Sequence, residues 1–154
     1  MRLTQRGALL ALALLCFALV GVALVSQHVF DMQPCPWCIL QRIIFLVIAL
    51  LLLAGAFVPG RAVFVVGAVA FALAGIVTAL YQHFVAAKSS SCNLTMADKI
   101  ISGLGLDKAL PAMFEVKASC ADAAVDMLHV PYEFWSLGFF VIVAVAATYA
   151  LSRR

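Results

Sequence analysis

The sequence predicts an all-α fold: a bundle of four transmembrane helices with one long loop that carries a short amphipathic helix. The first observation is composition, because 66% of the 154 residues are apolar and only 11% are charged. A small soluble domain does not have this balance. The second is that four apolar stretches recur along the chain, each close to the ~20 residues that a helix needs to cross ~30 Å of hydrocarbon. We therefore expect a single integral membrane domain.

The four helices are predicted at about residues 8–26, 39–58, 62–84 and 134–151. Helices are expected because a membrane span must satisfy its own backbone hydrogen bonds, and the alternating pattern of barrel strands is missing. The first stretch is longer than the ~7 to 15 residues of a signal-peptide core, and no small-x-small cleavage site follows it. This helix is therefore expected to be retained.

Basic residues predict the orientation in the membrane. They lie before the first helix, between the second and third, and at the end of the chain, as Arg2, Arg6, Arg61, Arg153 and Arg154. By the positive-inside rule these ends are expected to be cytoplasmic. The loops at about 27–38 and 85–133, which hold all seven acidic residues, then face the outer, oxidising side of the membrane.

The long loop is predicted to contain a short helix. Four apolar residues follow one another at helical spacing and form a single stripe, namely Ala97, Ile100, Ile101 and Leu104. The segment from Thr95 to Asp98 has the spacing of a capping box, and Gly103 and Gly105 are expected to end the helix. The stripe fits either a small core packed on the bundle or, as we prefer, a helix lying in the membrane interface.

Four of the five cysteines fall into two pairs in the polar loops. Cys35 and Cys38 form a Cys-x-x-Cys motif directly before the second helix, whereas Cys92 and Cys120 are separated by 27 residues. Cys16 lies inside the first helix and is expected to be an inert apolar residue. A zinc site is disfavoured because the second pair lacks ligand-like spacing, and a c-type haem site because Ile39 follows Cys38 in place of histidine.

Two structural disulfides are the main alternative to redox chemistry. Such a bond suits Cys92 and Cys120, since closing a loop of nearly thirty residues stabilises by ~3 to 4 kcal/mol in the chain-entropy model. It suits Cys35 and Cys38 poorly, because a bridge across two residues closes almost no loop. The first pair is therefore predicted to be redox-active.

Three neighbouring features favour chemistry at Cys38. Pro34 and Pro36 place this cysteine in the first turn of the second helix, at the positive end of the helix dipole. Arg42 lies one turn deeper, where its charge favours a thiolate and can attract the carbonyl oxygen of a quinone. His83, at the outer end of the third helix, is a further candidate for a quinone-site or proton role.

These residues resemble the disulfide bond formation protein B (DsbB) family. The resemblance rests on the order of four spans, on Cys-Pro-Trp-Cys-Ile-Leu-Gln-Arg from Cys35 to Arg42, and on the Tyr-Gln-His that ends at His83. A cysteine pair also brackets the segment Leu-Pro-Ala-Met-Phe from Leu110 to Phe114.

The resemblance implies an enzyme of the bacterial inner membrane, with both cysteine loops in the periplasm. This enzyme reoxidises a periplasmic DsbA-like thiol oxidase and passes electrons to ubiquinone or menaquinone. It implies that the disulfide of Cys92 and Cys120 accepts electrons from the partner, with Cys92 in the mixed disulfide. Cys35 would then exchange with Cys120, and Cys38 would face the quinone together with Arg42 and His83. No metal, haem or nucleic acid is expected.

Two other functions remain open from the sequence. One is a non-enzymatic membrane subunit whose cysteines are structural staples. The other is a quinone reductase of the vitamin K epoxide reductase-like type, which a bundle with a Cys-x-x-Cys motif also fits. For the thiol oxidase, exchange between the pairs requires the Cys120 segment to approach Cys35. We accordingly predict mobility at the polar ends of the long loop, around residues 89–91 and 119–122.

Overall fold

The computed structural model describes residues 5–88, 96–123, 126–127 and 129–152. The helices in chain order are α1 (Gln5–Val29), α2 (Pro36–Phe57), α3 (Arg61–Phe84), α4 (Met96–Gly103), α5 (Leu106–Ala109), α6 (Pro111–Phe114) and α7 (Tyr132–Ser152). Four of them, α1, α2, α3 and α7, are long and apolar enough to cross a membrane. The predicted all-α bundle of four transmembrane helices is thus confirmed. The observed ends of these four helices differ from the predicted ends by at most three residues. For example, α1 begins at residue 5 where residue 8 was predicted, and α2 begins at residue 36 where residue 39 was predicted.

The turn between α2 and α3 lies at the same end of the bundle as the start of α1. Gly60 adopts a left-handed backbone conformation with φ of 90°, which glycine tolerates without steric cost. The Arg6 guanidinium lies 4.4 Å from the centre of the Phe57 ring, and Arg61 donates a hydrogen bond to Gln5. Two of the basic residues used to predict the orientation therefore share one end; Arg2, Arg153 and Arg154 lie outside the described residues.

Small residues allow α3 to pack closely in the bundle. Its buried positions recur every three or four residues along one face and are mostly alanine or glycine: Val65, Ala68, Ala72, Gly75, Ala79 and Gln82. Small side chains let the backbones of membrane helices approach closely and gain dispersion energy, which replaces the hydrophobic driving force available in water. The Phe140 ring of α7 fills the space above Gly75 and stacks on Phe45 of α2, with ring centres 4.0 Å apart.

The helix α2 is the centre of the bundle. It packs against both α1 and α3, and α3 packs in turn against α7. The contact between α1 and α7 is much less extensive, so these two helices are separated over part of their length. This gap lies beside the first turns of α2, which carry the Cys-x-x-Cys motif.

The loop helix α4 packs on the bundle through one side only. Ala97 and Ile101 are buried, and Ile101 contacts Ile39 of α2 and Phe114 of α6 in a small apolar cluster. Ile100 and Leu104 are exposed. The predicted helix is therefore present, but half of its apolar stripe forms a local core and the other half faces outward. Thr95 of the predicted capping box lies outside the described residues.

A short ribbon leads into the last span. The strands β1 (Asp126–Met127) and β2 (Val130–Pro131) pair antiparallel, with Asp126 opposite Pro131. His129 between them has a φ of 64°, a left-handed conformation that histidine adopts more readily than most residues do. The ribbon turns the chain back towards α7, whose first residue is Tyr132.

We expect Gly75→Ala to destabilise the protein by about 1–3 kcal/mol, the usual cost of overpacking. The added methyl group would overlap the Phe140 ring, which cannot move without disturbing its stack on Phe45. Thermal unfolding in detergent or nanodiscs measures the effect. Gly67→Ala is the matched control on the same helix, because its methyl group would meet only Leu51 at 3.5 Å, an ordinary contact. Equal melting temperatures for the two variants would contradict this account of the packing.

Candidate functional site

The Cys-x-x-Cys motif wraps around the first turn of α2. Cys35 is the N-cap residue, and its sulfur accepts a hydrogen bond from the Cys38 backbone N–H at 3.3 Å. Pro36 occupies the first helical position, where its missing N–H costs nothing. Cys38 therefore lies in the first turn, where the unpaired N–H groups of the helix favour negative charge.

The sulfurs of the motif are in direct contact. Cys35 Sγ and Cys38 Sγ lie 2.7 Å apart, and both residues are free cysteines. A disulfide has an S–S distance of ~2.05 Å, so a small movement suffices to form the bond. The Cys35 side chain is fully buried, whereas Cys38 retains some exposure.

A third sulfur, that of Cys120, meets the motif from the long loop. The backbone N–H groups of Lys117 and Ala118 both donate to the Pro34 carbonyl oxygen, at 3.1 and 3.3 Å. These bonds join the long loop to the residue before Cys35. The Cys120 side chain is buried in the same apolar cluster as Cys35, and the two thiols form a hydrogen bond.

The contact between Cys35 and Cys120 makes the two thiols unequal. The hydrogen bond with Cys120, followed by that with Cys38 and by burial, raises the pKa of Cys35 well above its usual value. The hydrogen bond from Cys35 lowers the pKa of Cys120, and the Trp37 backbone N–H also donates to this sulfur. Cys35 is thus the thiol that keeps its proton and Cys120 the one that more readily becomes a thiolate.

The remaining cysteines contribute less to the described geometry. Cys92 lies outside the described residues, so its pairing with Cys120 stays a prediction. Around Cys120 the chain forms a hydrogen-bonded turn, in which the Ser119 hydroxyl donates to the Asp122 carboxylate at 2.6 Å. The predicted mobility of this segment also stays a prediction. Cys16 is buried within α1.

Arg42 ties α1, α2 and the long loop together. Its side chain is buried and donates hydrogen bonds to Gln27 Oε1 at 2.6 Å, to the Ala23 carbonyl at 3.3 Å and to the Met113 carbonyl at 3.1 Å. Gln27 in turn donates to the Ala112 carbonyl. Three of the five N–H groups of the guanidinium are used in this way, which leaves donors for a further acceptor.

A cavity of about 130 Å³ lies between α1, α2 and α7, and Cys38 and Arg42 form part of its wall. The rest of the wall is mainly apolar: Leu19, Val20, Val22, Ala23, Gln41, Phe45, Tyr132, Trp135, Ser136 and Phe139. Val22 and Trp135 are also exposed on the outside of the bundle, so the cavity reaches the lipid-facing surface. We call it the α1–α2–α7 cavity.

His83 lies outside this cavity wall. Its Nδ1 is 2.7 Å from Oε1 of Glu133, a buried carboxyl group in the first turn of α7. The imidazole ring also contacts Phe134, with ring centres 4.5 Å apart. The structure thus groups Cys35, Cys38, Cys120 and Arg42 and places His83 at the interface of α3 and α7; its role at a quinone stays a prediction.

Several residues of the site were not singled out from the sequence. Gln82, next to His83, donates a hydrogen bond to Cys38 Sγ at 3.3 Å, and Gln41 donates to Gln82 at 2.8 Å. An amide side chain inside an apolar membrane helix is costly. The presence of glutamine at these two positions was therefore the signal in the sequence that could have identified them. Tyr132 and Trp135 were not predicted as site residues either, and only their packing beside α1 shows that they line a cavity. Among the residues described, no cluster of His, Cys, Asp and Glu side chains could hold a metal ion.

Comparison with known proteins gives a consistent result. The family model "Disulfide bond formation protein DsbB" matches residues 5–150. The chain is similar to disulfide bond formation protein B 1 of Pseudomonas syringae pv. syringae, with 36% identity over 97% of this chain and 91% of that protein. It is also similar to disulfide bond formation protein B of Nitrosospira multiformis (32% identity; 97% and 92% covered) and of Ralstonia nicotianae (33% identity; 100% and 98% covered).

We expect Cys35→Ala to slow the alkylation of Cys120 at neutral pH. The variant removes the S–H donor that lowers the pKa of Cys120, so the midpoint of its alkylation rate should move to higher pH, towards the ordinary thiol value. Rates measured against pH and resolved by peptide mass spectrometry report on Cys120 alone. Cys16→Ala is the control and should leave the pH profile of Cys120 alkylation unchanged. An unchanged profile in Cys35→Ala would contradict a role of the contact between the two thiols.

We expect Arg42→Met to loosen the long loop where Met113 and Ala112 now meet the bundle. Removing the guanidinium leaves the Met113 carbonyl and Gln27 without their donor, a cost of about 1–3 kcal/mol for each buried polar group. Hydrogen–deuterium exchange should rise in residues 111–118 and stay unchanged in the turn at residues 58–60. Exchange that rises equally at both ends of the bundle would point to general unfolding instead.

Proposed function

The chain belongs to the disulfide bond formation protein B (DsbB) family, and on this basis we propose that it is a quinone-dependent thiol:disulfide oxidoreductase. In this proposal it reoxidises a periplasmic DsbA-like dithiol oxidase and passes the electrons to ubiquinone or menaquinone in the membrane. One observation carries the proposal: Cys120, Cys35 and Cys38 are in contact in that order, and Cys38 lines an apolar cavity with Arg42.

The first step takes place on the long loop. The disulfide between Cys92 and Cys120 is attacked by a thiolate of the partner, and Cys92 forms the mixed disulfide. The second thiol of the partner then resolves this bond, so the partner becomes oxidised and Cys92 and Cys120 become a reduced pair. The reduced pair carries two electrons and two protons.

The second step transfers the electrons to α2. The Cys120 thiolate attacks Cys35 Sγ of the disulfide between Cys35 and Cys38, the bond between Cys120 and Cys35 forms, and Cys38 leaves as a thiolate. Cys92 then attacks Cys120, which restores the disulfide of the loop and releases Cys35. The hydrogen bond from Cys35 lowers the pKa of Cys120, and this lowering together with the contact between the two sulfurs favours this direction of attack.

The α1–α2–α7 cavity fits a quinone head group. A quinone ring is planar and largely apolar, with two carbonyl oxygens that accept hydrogen bonds. The cavity wall is mainly apolar and includes Arg42, whose guanidinium uses three of its five N–H groups on oxygens of the described residues. When bound, the quinone accepts two electrons and two protons and becomes a hydroquinone. The chain supplies them as Cys35 and Cys38 return to the disulfide, so electrons and protons balance over the cycle.

Redox potentials favour a quinone over a small-protein disulfide as the final electron acceptor. A DsbA-like dithiol has a potential near −120 mV, whereas glutaredoxin-like thiols lie near −200 mV, and 30 mV corresponds to about 1.4 kcal/mol for two electrons. Transfer of two electrons from the DsbA-like dithiol to the disulfide form of such a thiol would run uphill by about 3.7 kcal/mol. The acceptor must be a stronger oxidant, which a quinone in the lipid provides.

The same proposal includes location and orientation. We place the chain in the bacterial inner membrane with both termini in the cytoplasm, because Arg6 and Arg61 share the end of the bundle opposite the cysteines. The loops that contact each other through Pro34, Lys117 and Ala118 would then face the periplasm. This side is the one on which protein disulfides form.

The test mixes purified protein with a reduced DsbA-like partner and follows the loss of partner thiols with and without added ubiquinone. We expect turnover that requires quinone and falls to the uncatalysed rate in Cys38→Ser, since the last disulfide can no longer form. Cys16→Ser changes a buried cysteine outside the site and should turn over normally. Turnover that ignores quinone, or that survives Cys38→Ser, would refute the proposal.

A further inference from the structure

Two buried glutamine side chains connect α2 and α3 beside the redox motif. Gln41 Nε2 donates a hydrogen bond to Gln82 Oε1 at 2.8 Å, and Gln82 Nε2 donates to Cys38 Sγ at 3.3 Å. Both side chains are only 4% exposed. The two bonds form a chain that runs from α2 to α3 and returns to α2 at the sulfur.

The first bond fixes the direction of the second. A glutamine side chain has one acceptor oxygen and one donor nitrogen, and the Gln82 oxygen is already occupied by Gln41. The nitrogen therefore faces Cys38. An N–H donor stabilises a sulfur that carries negative charge more than it stabilises a neutral thiol.

A purely structural role does not account for this arrangement. A hydrogen bond between amide side chains of α2 and α3 needs only the contact of Gln41 with Gln82. Small residues already pack α3 closely against its neighbours. Burying amides in membrane helices is costly unless every polar group is paired. The additional contact with Cys38 directs the second amide at a reacting atom of the proposed redox chain.

We propose that Gln82 is a catalytic residue whose amide N–H stabilises Cys38 as the leaving thiolate, and that Gln41 is the positioning residue that orients it. In this step the bond between Cys120 and Cys35 forms, the bond between Cys35 and Cys38 breaks, and the electron pair of the broken bond stays on Cys38. The inference rests on the proposed function and assigns a new residue to it.

This role explains which sulfur of the motif is attacked. An incoming thiolate can attack either sulfur of a disulfide, and exchange is faster when the departing sulfur is the better leaving group. The amide of Gln82, the helix N-terminus and the Arg42 charge all favour negative charge on Cys38. Attack is therefore directed to Cys35, the sulfur that Cys120 contacts, and the thiolate is produced at the cavity.

The test compares Gln82→Met and Gln41→Leu, which remove the donor and its orienting partner, with Thr78→Val as the control. Thr78 lies one turn away on α3, and its hydroxyl donates a hydrogen bond to the Gly75 carbonyl at 2.8 Å. The first readout needs no quinone: the alkylation rate of Cys38 against pH in the reduced protein, resolved by mass spectrometry. The second is the exchange rate between Cys120 and the oxidised motif in a single turnover.

In Gln82→Met we expect the midpoint of Cys38 alkylation to move to higher pH. The other titratable or charged groups that face this sulfur are unchanged in the variant: Cys35, Arg42, Cys120 and Tyr132. Exchange should slow by roughly 10- to 100-fold, the range for a lost hydrogen bond to a charged group. Gln41→Leu should give a smaller effect in the same direction, and the double variant should equal Gln82→Met. Thr78→Val should behave as the native protein.

The outcomes separate this inference from the function on which it rests. If native protein fails to reduce quinone, the proposed function is wrong, whereas the alkylation profile still reports on Gln82. If native protein turns over and Gln82→Met keeps the native profile and exchange rate, Gln82 is not catalytic. If Gln82→Met does not fold, Gln41→Leu decides, because an unchanged profile there overturns the inference as well.

Discussion

The burial of one guanidinium group at the membrane boundary is the constraint on which the redox end of this protein depends. A charge out of water must have its hydrogen bonds satisfied, and Arg42 meets this need with oxygens from α1 and from the long loop. The loop is thereby tied to the bundle at Met113. Its next anchor, the Pro34 carbonyl that accepts from Lys117 and Ala118, lies close to Cys120. The charge that faces the cavity therefore also helps to bring the third sulfur to the first two.

The three sulfurs have distinct chemical environments although they touch. Cys35 is buried between two hydrogen-bonding sulfurs, Cys120 has donors from Cys35 and from the Trp37 backbone, and Cys38 has the Gln82 amide. Thiol–disulfide exchange depends on which sulfur attacks and which one leaves. Under the proposed function, this arrangement suits the exchange in which Cys120 attacks the central sulfur, Cys35, and Cys38 leaves.

Hydropathy and spacing were sufficient to predict the four helices. Each span must be apolar along its own length, and this property depends only on residues that are neighbours in the sequence. The position of Cys38 in the first turn of α2 followed from Pro36 in the same way. The partners of Arg42, the approach of Cys120 and the wall of the cavity were not predictable, since they depend on contacts between residues far apart in the chain. His83 was predicted as a site residue, and its neighbour Gln82 was not, because a histidine can carry charge. Only the structure shows that Gln82 is the one that contacts the Cys38 sulfur. The helix α4 was ambiguous because a single apolar stripe can serve both a core and an outer surface.

The stack of Phe140 on Phe45 has a consequence for how the protein can evolve. Phe45 forms part of the cavity wall, and the ring that supports it occupies the space left by Gly75 on the opposite side of the bundle. A single methyl group on α3 would therefore reshape the cavity without changing any residue that lines it. Under the proposed function, lineages that exchange one quinone for another could adjust their preference through such remote positions, while the sulfurs and Arg42 stay the same.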